Sequence, residues 1–123
     1  CYRWSLHTRP TMRNWSTARV TLMGDAAHST LPYLAQGAVM AIEDGAVLTR
    51  ALRMTPSIPE ALQLYQSNRI DRTARIVAQS TENRELFHLH SVAEIRARFA
   101  QRDEGEDRNR WLYSYNPLTV ALV

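Results

Sequence analysis

One stretch constrains this chain more than any other. It runs from Met23-Gly24-Asp25-Ala26-Ala27-His28 through Pro32 and Gln36-Gly37 to Leu48. A short apolar run, Val20-Thr21-Leu22-Met23, stops at Gly24-Asp25. A loop holding Pro32 follows, and Gln36-Gly37 opens an apolar-periodic segment. The order predicts strand, loop and helix, with glycine at both transitions. The first N–H groups of a helix have no partner inside it, and the helix dipole is positive there. An electron-rich ligand group can sit against that end. Gly37 carries no side chain, so a planar ligand can approach its backbone closely. Asp25 falls just past the expected strand end, where ligands of open α/β sheets bind. Its carboxylate accepts hydrogen bonds and donates none, which suits hydroxyls and disfavours phosphates.

Gly24-Asp25-Ala26-Ala27-His28, then Pro32, Gln36-Gly37 and Glu43-Asp44, resemble the second flavin-binding motif of FAD-dependent aromatic monooxygenases. The similarity is to the salicylate and 3-hydroxybenzoate hydroxylase branch. Trp4, Arg9-Pro10 and Trp15 on one side, and Tyr65, Arg69, Arg72 and Leu86-Phe87-His88 on the other, extend it over most of the chain. The resemblance implies an α/β fold: the C-terminal part of a Rossmann-like FAD-binding fold, mostly helical, with one or two short strands. It implies FAD as cofactor, NADH or NADPH as co-substrate, and hydroxylation of an activated aromatic substrate with dioxygen. Carried over residue by residue, Asp25 would hold the ribityl chain, and Gly24 beside it is a further cofactor-binding residue. Pro32 would lie beside the flavin ring, and the N–H groups of Gly37, Ala38 and Val39 would face its electron-rich edge. Tyr33 either points toward substrate or packs. No catalytic base is assigned.

Two departures stand out. Relatives often have glycine where this chain has Ala35, and alanine resists positive φ, so ordinary backbone angles are expected there. The same variant occurs in the hydroxybenzoate 6-hydroxylase branch. No Gly-x-Gly-x-x-Gly fingerprint occurs, although relatives bind the dinucleotide with one. The expectation is therefore the C-terminal portion of a monooxygenase, inactive alone, whose partner is the remainder of the same polypeptide. A truncated, non-catalytic helical interaction protein is the alternative.

Three regions are expected: residues 1–17 returning from a substrate domain, 18–55 completing the FAD-binding domain, and 56–123 forming a helical region. Trp4-Ser5-Leu6 reads as a short strand, and Trp4 and Trp15 as buried or half-buried. Arg9 is a surface residue or an aid to placing an anion. Ala18 to Met23 reads as a buried strand. From Gly37 to about Arg53 a helix is expected, with Val39, Ile42, Ala46 and Val47 inward. Glu43 and Asp44 fall mid-helix, and Asp44 suits a bond to nearby backbone or to an arginine. Gly45 costs the helix roughly 1 kcal/mol unless close packing needs it. Ser57-Ile58-Pro59-Glu60 has capping-box spacing, opening a long helix to about Leu86. Arg69, Arg72 and Arg75 form one flank, either solvated and salt-bridged or bracing the flavin region. Val92 to Ala100 reads as another helix and Asp103 to Asp107 as a disordered acidic loop. Trp111-Leu112-Tyr113-Ser114-Tyr115 is expected to pack onto the body or onto a second subunit, which makes a homodimer one expected assembly.

The exclusions are narrower. Fifteen arginines, no lysine and a net charge of +3 raise nucleic-acid binding, but the arginines are spread along helices and interleaved with acidic residues. No His-x-x-x-His or Cys-x-x-Cys spacing supports a metal, and no Gly-x-Ser-x-Gly elbow supports a serine hydrolase. His28 reads as a brace for its neighbours; His88 and His90 read as surface residues. A single cysteine builds no disulfide framework, which favours a reducing, cytoplasmic setting. No apolar run reaches the roughly 18 residues of a membrane span. The chain starts at Cys1 and not at Met, as expected of a piece of a longer polypeptide.

Overall fold

Two helices carry the molecule: α2, Gly37–Met54, and α3, Ile58–Phe87. The computed structural model describes residues 1–100 and 109–123. The turn before α2 adds the four-residue α1, Asp25–His28, and a 3-10 turn, Pro32–Leu34. Two further helices follow, α4, Val92–Ala100, and α5, Arg110–Tyr113. No described helix is long and apolar enough to cross a membrane. The acidic segment Asp103 to Asp107 lies outside the described residues.

The long helix starts where its capping signal predicts. The Ser57 hydroxyl accepts the Glu60 N–H, and Pro59 sits in the first turn, where its missing N–H costs nothing. The Glu60 carboxylate completes the cap differently from a standard box: it accepts from the Thr55 hydroxyl, which in turn accepts the Ser57 N–H. Along α3 the buried positions Leu62, Tyr65, Arg69, Thr73, Ile76 and Ser80 recur every three or four residues, with Gln66 beside Tyr65. They form one stripe of mixed polarity, which faces the buried positions Met40, Glu43, Asp44, Val47 and Ala51 of α2.

The inward face of α2 differs from the expected one. Val47 is buried, but Val39 and Ile42 are 41% and 73% exposed, and Glu43 and Asp44 are buried instead. Carboxylates can face inward because two guanidinium groups of α3 meet them there. Gly45 needs no close packing: a Cβ there would meet only Met23 Cε at 4.0 Å.

The expected strand over Ala18 to Met23 does not form. Only an isolated antiparallel bridge, Ser16 with Thr21, is present among the described residues. The Leu22 N–H bonds back to the Trp15 carbonyl at 3.1 Å and the Thr17 N–H to that of Val20 at 2.8 Å. A strand is completed by its neighbour's backbone, and among the described residues no neighbouring strand lies beside Val20 to Met23. Trp4-Ser5-Leu6 forms no strand either, and Trp4 is exposed. Trp15 is buried as expected, packed with Ala27, Val47, Ala51, Ala61, Tyr65 and Ile70. Gln66 anchors this connector, its side-chain oxygen accepting the N–H groups of Trp15 and Ser16. A second cluster joins Met40, Ile76 and Leu112, so the Trp-Leu-Tyr tail packs onto the body.

Candidate functional site

Gly24 takes φ +59°, a conformation that strains any residue with a Cβ. It is buried, and a Cβ on it would meet that of Ala41 at 3.4 Å, so the turn sits against the first turns of α2. Asp44 holds it there: one carboxylate oxygen accepts the Gly24 N–H at 2.8 Å and His28 Nε2 at 2.6 Å. The other oxygen accepts from Arg69 Nε at 2.8 Å. Arg69 is fully buried and also reaches Glu43 at 2.8 Å. Arg72 grips Glu43 with two prongs, at 2.8 and 2.6 Å. Two adjacent carboxylates on α2 thus meet two guanidinium groups on α3, and planar forks of this kind make strong paired hydrogen bonds.

Burial by itself would raise the Asp44 carboxyl. The hydrogen bonds from His28, the Gly24 amide and Arg69 outweigh it and hold the group below its ordinary range. Burial would likewise lower Arg69, and Asp44 and Glu43 more than offset that. Tyr65 is pushed upward by burial and by the Asp44 charge, and its hydroxyl donates to the Leu22 carbonyl. The expected structural roles of Asp44 and His28 are those observed. Arg69 and Arg72 are salt-bridged as one reading of the arginine flank had it, but they are not solvated. That signal was in the sequence as Glu43-Asp44 facing Arg69-x-x-Arg72, although without partner information it pointed to no inward direction.

The groups that could meet a ligand lie on the open side of this scaffold. Asp25 follows Gly24 directly, is exposed, and begins α1. No side chain caps α2, and its first internal bond runs from the Met40 N–H to the Gln36 carbonyl. The N–H groups of Gly37, Ala38 and Val39 therefore precede the helical ladder, at the positive end of an 18-residue helix. Between Asp25 and Gly37 the loop is pinned from α3: Ser80 donates to the Leu31 carbonyl at 2.6 Å and Asn83 to that of Tyr33 at 3.2 Å. Pro32 is exposed, and the Tyr33 ring packs against Phe87 and His88. Arg9 donates to the Ala26 carbonyl, clamping α1.

Ala35 overturns an expectation. It adopts φ 53° and ψ 30°, closing the 3-10 turn through its N–H to the Pro32 carbonyl at 3.0 Å. The pinned carbonyls on either side of Pro32 override the steric preference of alanine, which is worth roughly 1–2 kcal/mol.

A family model described as "FAD binding domain" matches residues 2–80. The chain belongs to this FAD-binding domain family. Three relatives show how far the likeness runs. The chain is 43% identical over 121 residues to 3-hydroxybenzoate 6-hydroxylase of Polaromonas naphthalenivorans, covering 93% of this chain and 30% of that protein. It is 40% identical over 114 residues to 3-amino-4-hydroxybenzoate 2-monooxygenase of Streptomyces cremeus, covering 90% and 29%. It is 42% identical over 123 residues to 6-hydroxynicotinate 3-monooxygenase of Pseudomonas fluorescens, covering 98% and 28%. The chain spans about three tenths of the length of these relatives.

FAD is the family's cofactor, and the donor set here fits it. An exposed carboxylate at Asp25 matches sugar-alcohol hydroxyls, and an uncapped helix start matches an electron-rich ring edge. At Gly37 a Cβ would come to 3.5 Å from Thr30 Cγ2, narrowing the approach to those N–H groups.

Proposed function

We propose that this chain is part of a flavin-dependent monooxygenase that hydroxylates an aromatic ring using NADH or NADPH and dioxygen. The observation that carries this reading is the buried Asp44, which locks the Gly24-Asp25 turn onto α2 beside Ala41. When bound, FAD supplies the electron transfer and oxygen activation. The chain's own residues supply position and electrostatics. Asp25 accepts the ribityl hydroxyls. The N–H groups of Gly37, Ala38 and Val39 stabilise negative charge at the ring edge, as preorganised donors do without rearranging. Pro32 stiffens the wall beside the ring, with Tyr33 behind it on the substrate side.

The finer fold reading also stands as a proposal. Residues 18–23 become a strand of a Rossmann-like sheet once the remainder of the polypeptide pairs with them, residues 18–55 complete the FAD-binding domain, and 56–123 form its helical flank. The exposed apolar side chains Val20, Met23, Val39 and Ile42 support this, because such residues call for cover.

Asp25→Ala tests the reading in the complete polypeptide. It should raise the FAD dissociation constant at least tenfold, through loss of a charged hydrogen-bond acceptor. Unchanged FAD content after dialysis would remove Asp25 from the site.

A further inference from the structure

The family match ends at residue 80, and the buried charges that fix the Gly24 turn all lie within it, but the segment that covers them does not. Their outer end is roofed by the C-terminal segment. Arg72 donates to the carbonyls of Trp111 and Leu112 at 3.3 and 3.1 Å. The Tyr115 ring lies 3.8 Å from the Arg72 guanidinium carbon and 5.5 Å from that of Arg69. The Trp111 ring lies between Arg75, at 3.8 Å, and Arg72, at 5.5 Å. Leu112 is buried against Met40 and Ile76, which closes the same seam with apolar side chains.

We propose that Trp111 and Tyr115 are positioning residues for cofactor binding, clamping from a distance the turn that presents Asp25. The path is continuous. Tyr115 and the tail carbonyls orient the Arg72 fork, which holds Glu43. Glu43 shares Arg69 with Asp44, and Asp44 holds the Gly24 amide and His28. Both oxygens of Glu43 and of Asp44 are engaged, while Arg69 Nη1 and His28 Nδ1 have no hydrogen-bond partner among the described residues. The aromatic roof excludes water, and hydrogen bonds in a dry network are stronger and reinforce one another. Uncovering Arg72 lets water compete for Glu43. Arg69 then divides differently between the two carboxylates, and Asp44 loosens on the Gly24 N–H. The proposal rests on the flavin reading of Asp25, and it assigns the tail a role at the cofactor end, beyond packing.

The ring and the hydroxyl of Tyr115 can be separated. Its Oη has no hydrogen-bond partner among the described residues, whereas its face covers a cation. In the complete polypeptide, FAD dissociation constants from flavin fluorescence should rise about fivefold for Tyr115→Leu, which keeps apolar bulk and loses the π face. Tyr115→Phe should stay within about twofold of the parent, restoring the ring alone. In an Asp44→Asn background the Tyr115→Leu effect should vanish, since linked residues are not additive. Arg72→Lys, which keeps the charge and loses the fork, provides the same readout if Tyr115→Leu fails to fold, and it should also raise the constant. A normal FAD constant for Tyr115→Leu with only a lowered melting temperature would overturn the clamp, as would an effect fully additive with Asp44→Asn. If Asp25→Ala weakens FAD while Tyr115→Leu and Arg72→Lys do not, the clamp fails and the flavin reading survives. If Asp25→Ala also has no effect, the flavin reading fails.

Discussion

The inner face of α2 mixes two charges with the apolar Met40, Val47 and Ala51, and its outer face leaves apolar residues uncovered. Its inner face carries Glu43 and Asp44, both buried, and its outer face carries Val39 and Ile42, both exposed. The inner face is complete: each carboxylate oxygen there has an N–H partner, from Arg69, Arg72, His28 or the Gly24 amide. The outer face leaves its apolar side chains Val39 and Ile42 exposed. The contrast teaches that burial on this helix follows partners as well as hydrophobicity, since Glu43 and Asp44 are buried beside Met40, Val47 and Ala51. A charge goes inward when a fixed counter-charge waits there, and an apolar residue stays outward when nothing covers it.

The contrast breaks most severely at Asp44. In the 123-residue chain Asp44→Ala would leave Arg69 buried with Glu43 as its only carboxylate. A loss of about 3–5 kcal/mol is expected in urea unfolding, the usual cost of stranding one member of a buried pair. A loss below about 1 kcal/mol would show that the seam is not what joins the helices.

Acid sharpens the same point. Asp44 is held below its ordinary value near 3.8 in the folded chain. A carboxyl lowered on folding contributes stability in full above its unfolded value, and loses it as pH falls through the folded value. The stability gap between the parent and Asp44→Asn should therefore be full at neutral pH and shrink below about pH 4. A gap independent of pH would contradict the charge reading.

Smaller effects belong to the loop and the outer face. Ala35→Gly relieves a left-handed alanine and should stabilise the chain by about 0.5–1 kcal/mol in thermal melts, part of the relief being lost to glycine's freedom when unfolded. A decrease would mean the Ala35 side chain is needed there. Ile42→Lys, on the uncovered face, should change the stability of the 123-residue chain by no more than about 0.5 kcal/mol. A loss above about 2 kcal/mol would show that the outer face is packed within this chain.

The local signals in the sequence are followed closely by the structure. Pro59 and the Ser57 cap mark the start of α3, Gly37 opens α2, and Val92 to Ala100 is helical as its pattern predicts. The Gly-Asp and Gln-Gly spacing pointed to the flavin family, and a family model matches across it. The errors share one cause. The strand at Val20 to Met23 depends on a neighbour's backbone, the inward turn of Glu43 depends on Arg69 and Arg72, and the left-handed Ala35 depends on Ser80 and Asn83 holding the loop.

By itself the sequence determined where α2 and α3 start and stop, though not the short α1 and α5, because caps, prolines and glycines act within a few residues through backbone geometry and unpaired N–H groups. It also pointed to FAD, through a motif resembling that of a flavin family whose model matches across it. Only the tertiary structure decided which face of α2 turns inward and how the Gly24 turn is held. Those choices depend on the distance between groups on different elements, where paired charges outweigh the preference of apolar side chains for the interior.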